Sequence, residues 1–273
     1  MNYRLPNTLK DVLTMYFRSP ELALYSGGTD LMVAPSCENN SYIFINRIPE
    51  LKIIKASKQY TSFGSACTFT EVLNSEFTPD ILKQACKEIA APAIRNVGTI
   101  GGNIANGSAK ADSALIFMVT NSLLRLQTLE NERLLPIRDF YLGGGKTALK
   151  ESELITEILI PSQNLDNYYY EKVGARKALS ISRVSFAAIL DVQNSIIENC
   201  ATAFGAVSDT IIRPAEIDKI LISKSLSEAR NLKADYLAAL DKAIIPRRGR
   251  VSIEFRKDVC MNLVRDFLTS NGI

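Results

Sequence analysis

An α+β fold is predicted for this 273-residue chain by three features of its sequence. Amphipathic helical stretches and short strand-like runs both recur along it, and in its last third a run of strands precedes a run of helices. Its 47% hydrophobic composition supplies a real core. A compositional break at "NLDNYYYEK" places a boundary near residue 166, giving regions 1–165 and 166–273.

The elements follow in order. In "TLKDVLTMYFRSP" the apolar residues Leu9, Val12, Leu13, Tyr16 and Phe17 recur at helical spacing, and Ser19 with Pro20 closes the helix. The run "LALY" and then "YIFIN" (42–46) and "YTSFGS" (60–65) read as strands. "TPDILKQACKEIAAP" reads as a helix with Thr78 as its N-cap and Pro79 in its first position. "LLRLQTL" (123–129) and "ELITEILIP" (153–161) are strand-like, separated by the loop "DFYLGGGKT". Beyond residue 166, "VSFAAILDV" and "SIIENCATAFGAV" read as strands, "DYLAALDKAII" and "DVCMNLVRDFL" as helices. In the last of these, Cys260, Leu263, Val264, Phe267 and Leu268 form one stripe.

Composition narrows the chemistry. With 32 basic and 29 acidic residues the net charge is only +3, without long like-charge runs, so no nucleic-acid or membrane footprint is expected. No apolar run approaches the length of a membrane span and the start lacks a signal-like apolar core, so a cytoplasmic location is expected. Cys37, Cys67, Cys86, Cys200 and Cys260 are scattered singly and read as small buried hydrophobes, with no metal site. The chain has no histidine, which removes imidazole bases, Ser-His triads and most catalytic zinc sites. No catalytic residue is identified, and the chemistry is expected to come from a cofactor.

Two glycine pairs point to that cofactor. "YSGGTDLMVAPS" (25–36) leaves a strand and turns sharply, and "IRNVGTIGGNIANGSAKADS" (94–113) repeats the adjacent glycines beside Thr99, Asn103, Asn106, Ser108 and Asp112. Glycines let the main chain approach a ligand and turn N–H groups inward, a nest suited to phosphate oxygens. Each pair alone also fits a plain tight turn; the two together fit a long diphosphate cofactor. Neither is a dinucleotide-binding G-x-G-x-x-G. "GGGKT" (143–147) is not a Walker A loop, since Phe140 stands where its first glycine would be; those glycines read as a turn with Lys146 solvated.

"LYSGGTDLMV", "IRNVGTIGGNIANGSAKADS", "ELITEILIP", "YEKVGARKALSISRVS" and "RRGRVSIEFRKDVCMNLV" resemble, in order and spacing, the FAD-binding medium subunit of the xanthine dehydrogenase/carbon monoxide dehydrogenase family of molybdenum hydroxylases. The resemblance covers essentially the whole chain. It implies a PCMH-type FAD-binding domain of two subdomains over 1–165, with a break near 55, followed by a small C-terminal α/β domain over 166–273. It implies an oxidoreductase that holds FAD noncovalently and assembles with a large molybdopterin subunit and a small subunit carrying 2Fe-2S clusters. Electrons would reach NAD+ or another acceptor through the flavin.

Carried over by residue, the resemblance puts Tyr25, Ser26, Gly27, Gly28, Thr29, Asp30 and Leu31 in a first FAD loop whose main chain binds the diphosphate. Thr99, Gly101, Gly102, Asn103 and Asn106 would form the second, and Asp112 would bind the adenosine end or brace the turn. Ile155 would flank the isoalloxazine. Lys172 would approach the flavin's polar edge, or stand as a surface strand residue. The chain departs from the family pattern at Tyr25, usually a small residue, and at Ala109-Lys110, where a proline is usual. Two roles fit: an electron-transfer subunit, or a free-standing FAD-dependent oxidoreductase of the same fold.

Overall fold

The structure is a computed structural model that describes residues 3–33 and 41–273; Cys37 and the end of the first glycine stretch lie outside them. Strand β1 (Tyr3–Arg4) leads to helix α1 (Leu9–Arg18), then β2 (Ala23–Tyr25) and β3 (Tyr42–Phe44). The strands form a parallel sheet of order β1-β3-β2. α1 opens on a reciprocal cap, with the Asp11 amide donating to the Thr8 hydroxyl at 3.1 Å and the Thr8 amide donating to the Asp11 carboxylate at 3.2 Å. It closes at Ser19 and buries Val12 against Ile43, Ile48 and Leu51.

The next stretch holds β4 (Ile54–Ala56), β5 (Tyr60–Gly64), α2 (Phe69–Asn74), α3 (Asp80–Lys87), α4 (Pro92–Arg95), α5 (Ile100–Ala105) and α6 (Asp112–Val119). It continues with β6 (Leu123–Gln127), β7 (Glu132–Pro136), β8 (Tyr141–Gly143), β9 (Lys146–Thr147) and β10 (Leu154–Pro161). β10 is the centre of an antiparallel sheet of order β4-β5-β10-β6-β7. All eight residues of α6 are buried. It therefore has no solvent face, and none of the helical periodicity that marks α1.

Beyond residue 166, β11 (Tyr168–Val173), β12 (Val184–Gln193) and β13 (Ile196–Gly205) make an antiparallel sheet, followed by α7 (Ala215–Asp218), α8 (Leu226–Ala243) and α9 (Ile253–Ser270). The sheet is buried on both faces. Ala187, Ile189, Ala201 and Ala203 join the core around α6, while Phe186, Ala188, Leu190 and Phe204 join the core of α8 and α9. The small residues on the first face let α6 lie close against the sheet.

Three local expectations change. Thr78 does not cap α3: Pro79 takes the N-cap position, and the buried Thr78 hydroxyl has no hydrogen-bond partner among the described residues. "DFYLGGGKT" contains the hairpin β8-β9, which Gly143, Gly144 and Gly145 close at positive φ, a conformation that costs glycine little. "IGGNIA" is helix α5 rather than loop. Cys67, Cys86, Cys200 and Cys260 are free and buried. Among the described residues no helix is long and apolar enough to cross a membrane, and no group of His, Cys, Asp and Glu could hold a metal ion.

Candidate functional site

The two glycine segments face each other across an open cleft of about 650 Å³, at the C-terminal end of β2. A pleated strand sends successive side chains to opposite faces, so Leu24 and Ser26 reach the cleft while Tyr25 turns away. The Tyr25 ring packs on Phe44 with centroids 4.5 Å apart, beneath Gly28. Tyr25 thus supports the loop from below and does not line the cleft.

After β2 the chain turns through Gly28 at φ +70° into a single turn of 3-10 helix at Leu31–Val33. The amides of Gly27, Gly28, Thr29 and Asp30 have no hydrogen-bond partner among the described residues, while Ser26, Gly27, Gly28, Thr29, Asp30 and Leu31 all line the cleft. Four successive unpaired N–H groups on a cleft wall are donors waiting for an acceptor.

The second segment is built differently. Thr99, only 4% exposed, caps α5 with its hydroxyl accepting from the Gly102 amide at 3.2 Å. The Ile100 and Gly101 amides donate to Cys67 and Ser65 carbonyls at 2.9 Å, and the Asn103 amide to the Thr99 carbonyl at 3.0 Å. These N–H groups are spent inside the fold, so this wall offers side chains and bare Cα atoms instead. A Cβ on Gly101 would lie 2.5 Å from the Ser65 Cβ and 2.6 Å from its carbonyl oxygen, so the glycine lets α5 touch the chain just after β5. A Cβ on Gly102 would meet only the Thr99 hydroxyl, at 2.8 Å, and otherwise enter open space.

Two hydrogen bonds tie the walls together. Ser26 Oγ lies 2.9 Å from Thr99 Oγ1, and Asn106 Nδ2 donates to the Asp30 carboxylate. Asn103 also lines the cleft, its Oδ1 accepting from Ser113 Oγ at 2.7 Å. Behind Ser26 and Gly102 the cleft runs on into an arm of about 550 Å³ lined by Tyr16, Leu24, Ile45 and Ile155. The Ser65 hydroxyl on this arm is buried and has no partner among the described residues. Glu153 stands there too; burial alone would raise its carboxyl, but the Arg133 guanidinium at 2.7 and 2.8 Å and the Lys150 amide outweigh that and hold its pKa below the ordinary value.

Asp112 and Lys172 lie elsewhere. Their side chains, 6% and 7% exposed, form an ion pair at 2.8 Å, and Asp112 also accepts from Ser182 Oγ at 2.7 Å. Neither lines the cleft or its arm. Asp112 braces α6 against β11 and the chain beyond it. Lys172 borders a separate cavity of about 620 Å³ with Lys87, Arg95, Arg176 and Lys177, and Ile155 lies outside that cavity. Lys110 is exposed and off the cleft, while the Ala109 carbonyl accepts from the Ala206 amide at 2.7 Å. Tyr16, Leu24, Ile45 and Ser65 are site residues absent from the sequence-derived set; of these Leu24 had a signal, its two-residue alternation with Ser26.

The cleft has the groups that a diphosphate cofactor with an aromatic end needs. It offers unpaired amides, a side chain-free approach at Gly102, and an apolar arm with an unpaired hydroxyl. Comparison with known proteins gives the family. Residues 1–163 match the model of the FAD binding domain in molybdopterin dehydrogenase, and residues 168–270 that of the CO dehydrogenase flavoprotein C-terminal domain. The xanthine dehydrogenase FAD-binding subunit of Escherichia coli O157:H7 is 28% identical over 98% of this chain and 94% of its own length. The nicotine 6-hydroxylase medium subunit of Paenarthrobacter nicotinovorans is 25% identical over 100% and 97%. The fold superposes on a chain of the reconstituted CO dehydrogenase from Oligotropha carboxidovorans with a TM-score of 0.89, at 24% identity over 97% of this chain and 95% of that one. With both family models matched in sequence order and few residues outside them, the chain belongs to the FAD-binding medium subunits of the molybdenum hydroxylases, the family of the xanthine and CO dehydrogenase flavoproteins.

Proposed function

We propose that this chain is the electron-transfer subunit of a molybdenum hydroxylase complex, holding FAD noncovalently between its two glycine segments. The observation that carries the reading is the row of unpaired amides at Gly27, Gly28, Thr29 and Asp30 on the cleft wall. They would donate to the diphosphate, with the Asn103 side chain opposite and Gly102 leaving room for its oxygens. Tyr16, Leu24, Ile45 and Ile155 would exclude water from one aromatic end of the cofactor. Bound FAD would supply the redox centre, taking electrons from 2Fe-2S clusters of a small partner subunit after substrate oxidation at a molybdopterin-bearing large subunit.

We infer NAD+ as the acceptor from the cavity lined by Lys87, Arg95, Arg176 and Lys177, whose cations would suit a diphosphate-bearing acceptor, Lys172 at its edge being paired with Asp112.

Acid precipitation of native protein is expected to release FAD, and the refolded chain to prefer FAD over FMN; equal binding of FMN would defeat the diphosphate assignment. An anaerobic titration tests the role. Hydroxylase substrate is expected to bleach the flavin only after the molybdenum and iron-sulfur subunits are added. Bleaching of the isolated chain by an organic substrate would favour a free-standing oxidoreductase.

A further inference from the structure

Asn103 stands on the cleft wall, and the hydroxyl of Ser113 stands behind it. Ser113 is the second residue of α6, wholly buried at 0% exposure, and its Oγ donates to Asn103 Oδ1 at 2.7 Å. A buried hydroxyl is costly unless it is hydrogen-bonded, and Asn103 is the partner that satisfies this one. An asparagine amide has an accepting oxygen and a donating nitrogen at opposite ends of one plane. With the oxygen taken by Ser113, the Nδ2 group is turned the other way, and it has no partner among the described residues.

That free donor belongs to a residue of the same cleft as the unpaired amides of Gly27, Gly28, Thr29 and Asp30. We propose that Ser113 is a positioning residue for the diphosphate, locking the Asn103 amide so that the cleft meets its N–H end. Unlocked, the amide could present its carbonyl oxygen to an anion and repel it. The lock is rigid because α6 is buried on every side and Asp112, its first residue, is pinned to Lys172 and Ser182. A residue of the core, out of the cofactor's reach, would thereby decide which end of a cleft side chain the cofactor meets.

The inference rests on the FAD reading above, and the experiment separates the two. FAD and riboflavin are titrated into the purified chain and its Ser113→Ala, Asn103→Ala and doubly substituted variants, with thermal unfolding as the fold control. Taking the usual strength of hydrogen bonds to charged groups, Asn103→Ala is expected to weaken FAD about tenfold and Ser113→Ala about fivefold. Riboflavin, which lacks the diphosphate, is expected to bind all four alike, and the double variant to bind FAD no more weakly than Asn103→Ala. Three results would overturn the positioning role: wild-type FAD affinity in Ser113→Ala, an equal loss for riboflavin, or the full Ser113→Ala loss recurring in the Asn103→Ala background. Should Ser113→Ala not fold, Asn103→Asp carries the test, since it keeps an acceptor for Ser113 and replaces the donor with a charge. It is expected to bind FAD more weakly than Asn103→Ala, and tighter binding would overturn the proposal. A wild-type chain that retains no FAD at all would instead overturn the cofactor reading on which the inference stands.

Discussion

Gly27-Gly28 and Gly102 sit on facing walls of one cleft, with Gly101 on its arm; the first pair lies in an irregular turn with unpaired amides, the second inside a helix whose amides are engaged. The two pairs divide the work differently. On the first wall Gly27 gives clearance, since a Cβ there would run into the Val97 carbonyl oxygen, and Gly28 at φ +70° sets the turn that carries the unpaired amides. On the second wall glycine serves clearance, Gly101 toward Ser65 on one side and Gly102 toward the cleft on the other. A ligand between them meets donors from one side and empty space from the other.

The sharpest break of this comparison is Gly102→Val. The added side chain would touch Thr99 Oγ1 and otherwise project into open space, so the fold is expected to survive while flavin retention is lost. We expect FAD affinity to fall by more than about a hundredfold, the loss of a close phosphate approach and its charge-assisted contacts together. Flavin absorbance after gel filtration, beside a circular dichroism spectrum, reads both. A folded Gly102→Val protein with normal flavin content would mean that no ligand comes near that Cα.

Gly101→Ala should do the reverse. Its Cβ would press on the Ser65 backbone, which cannot yield as a flexible side chain could, and overpacking of this kind costs about 1–3 kcal/mol. The expected sign is a lower unfolding midpoint in denaturant, with FAD affinity little changed in the fraction that folds. If the two neighbouring glycines responded alike, both in binding or both in stability, the division between inward and outward clearance would fail.

What could be read beforehand depends on how each feature is encoded. α1 and α9 carry a polar face beside their apolar stripe, and both were visible as periodicity. α6 is buried on every side and has no such contrast, so its sequence "DSALIFMV" cannot be told from a buried strand by pattern alone. The glycine pairs marked the cleft, but the dipeptide says nothing about backbone state. The helical one is set by the Thr99 cap and by contacts to Ser65 and Cys67, more than thirty residues away. The pairing of Asp112 with Lys172 is likewise non-local: sixty residues separate them, and only the packing of α6 on β11 to β13 brings them together. Tyr25 is a different case. Its outward turn follows from strand alternation with Leu24 and Ser26, a rule available from the sequence and obscured by its place beside the glycines.

The smallest effect concerns the tether between the walls. Ser26 Oγ and Thr99 Oγ1 lie 2.9 Å apart, yet the two hydroxyls are not equivalent, because Thr99 also caps α5 through the Gly102 amide at 3.2 Å. Ser26→Ala removes the tether and leaves the cap; Thr99→Ala removes both. A single part-buried hydrogen bond contributes about 0.5–1.5 kcal/mol, and loss of an N-cap about 1 kcal/mol more. Ser26→Ala is therefore expected to lower stability by no more than about 1 kcal/mol, and Thr99→Ala by about twice that. FAD affinity should fall slightly in Ser26→Ala, since Asn106 still holds Asp30 across the cleft. Urea unfolding of the two variants with and without FAD measures both quantities. Equal destabilisation by the two substitutions would show that the Thr99 cap adds nothing to α5. The second wall would then owe its helical state to the Ser65 and Cys67 contacts alone.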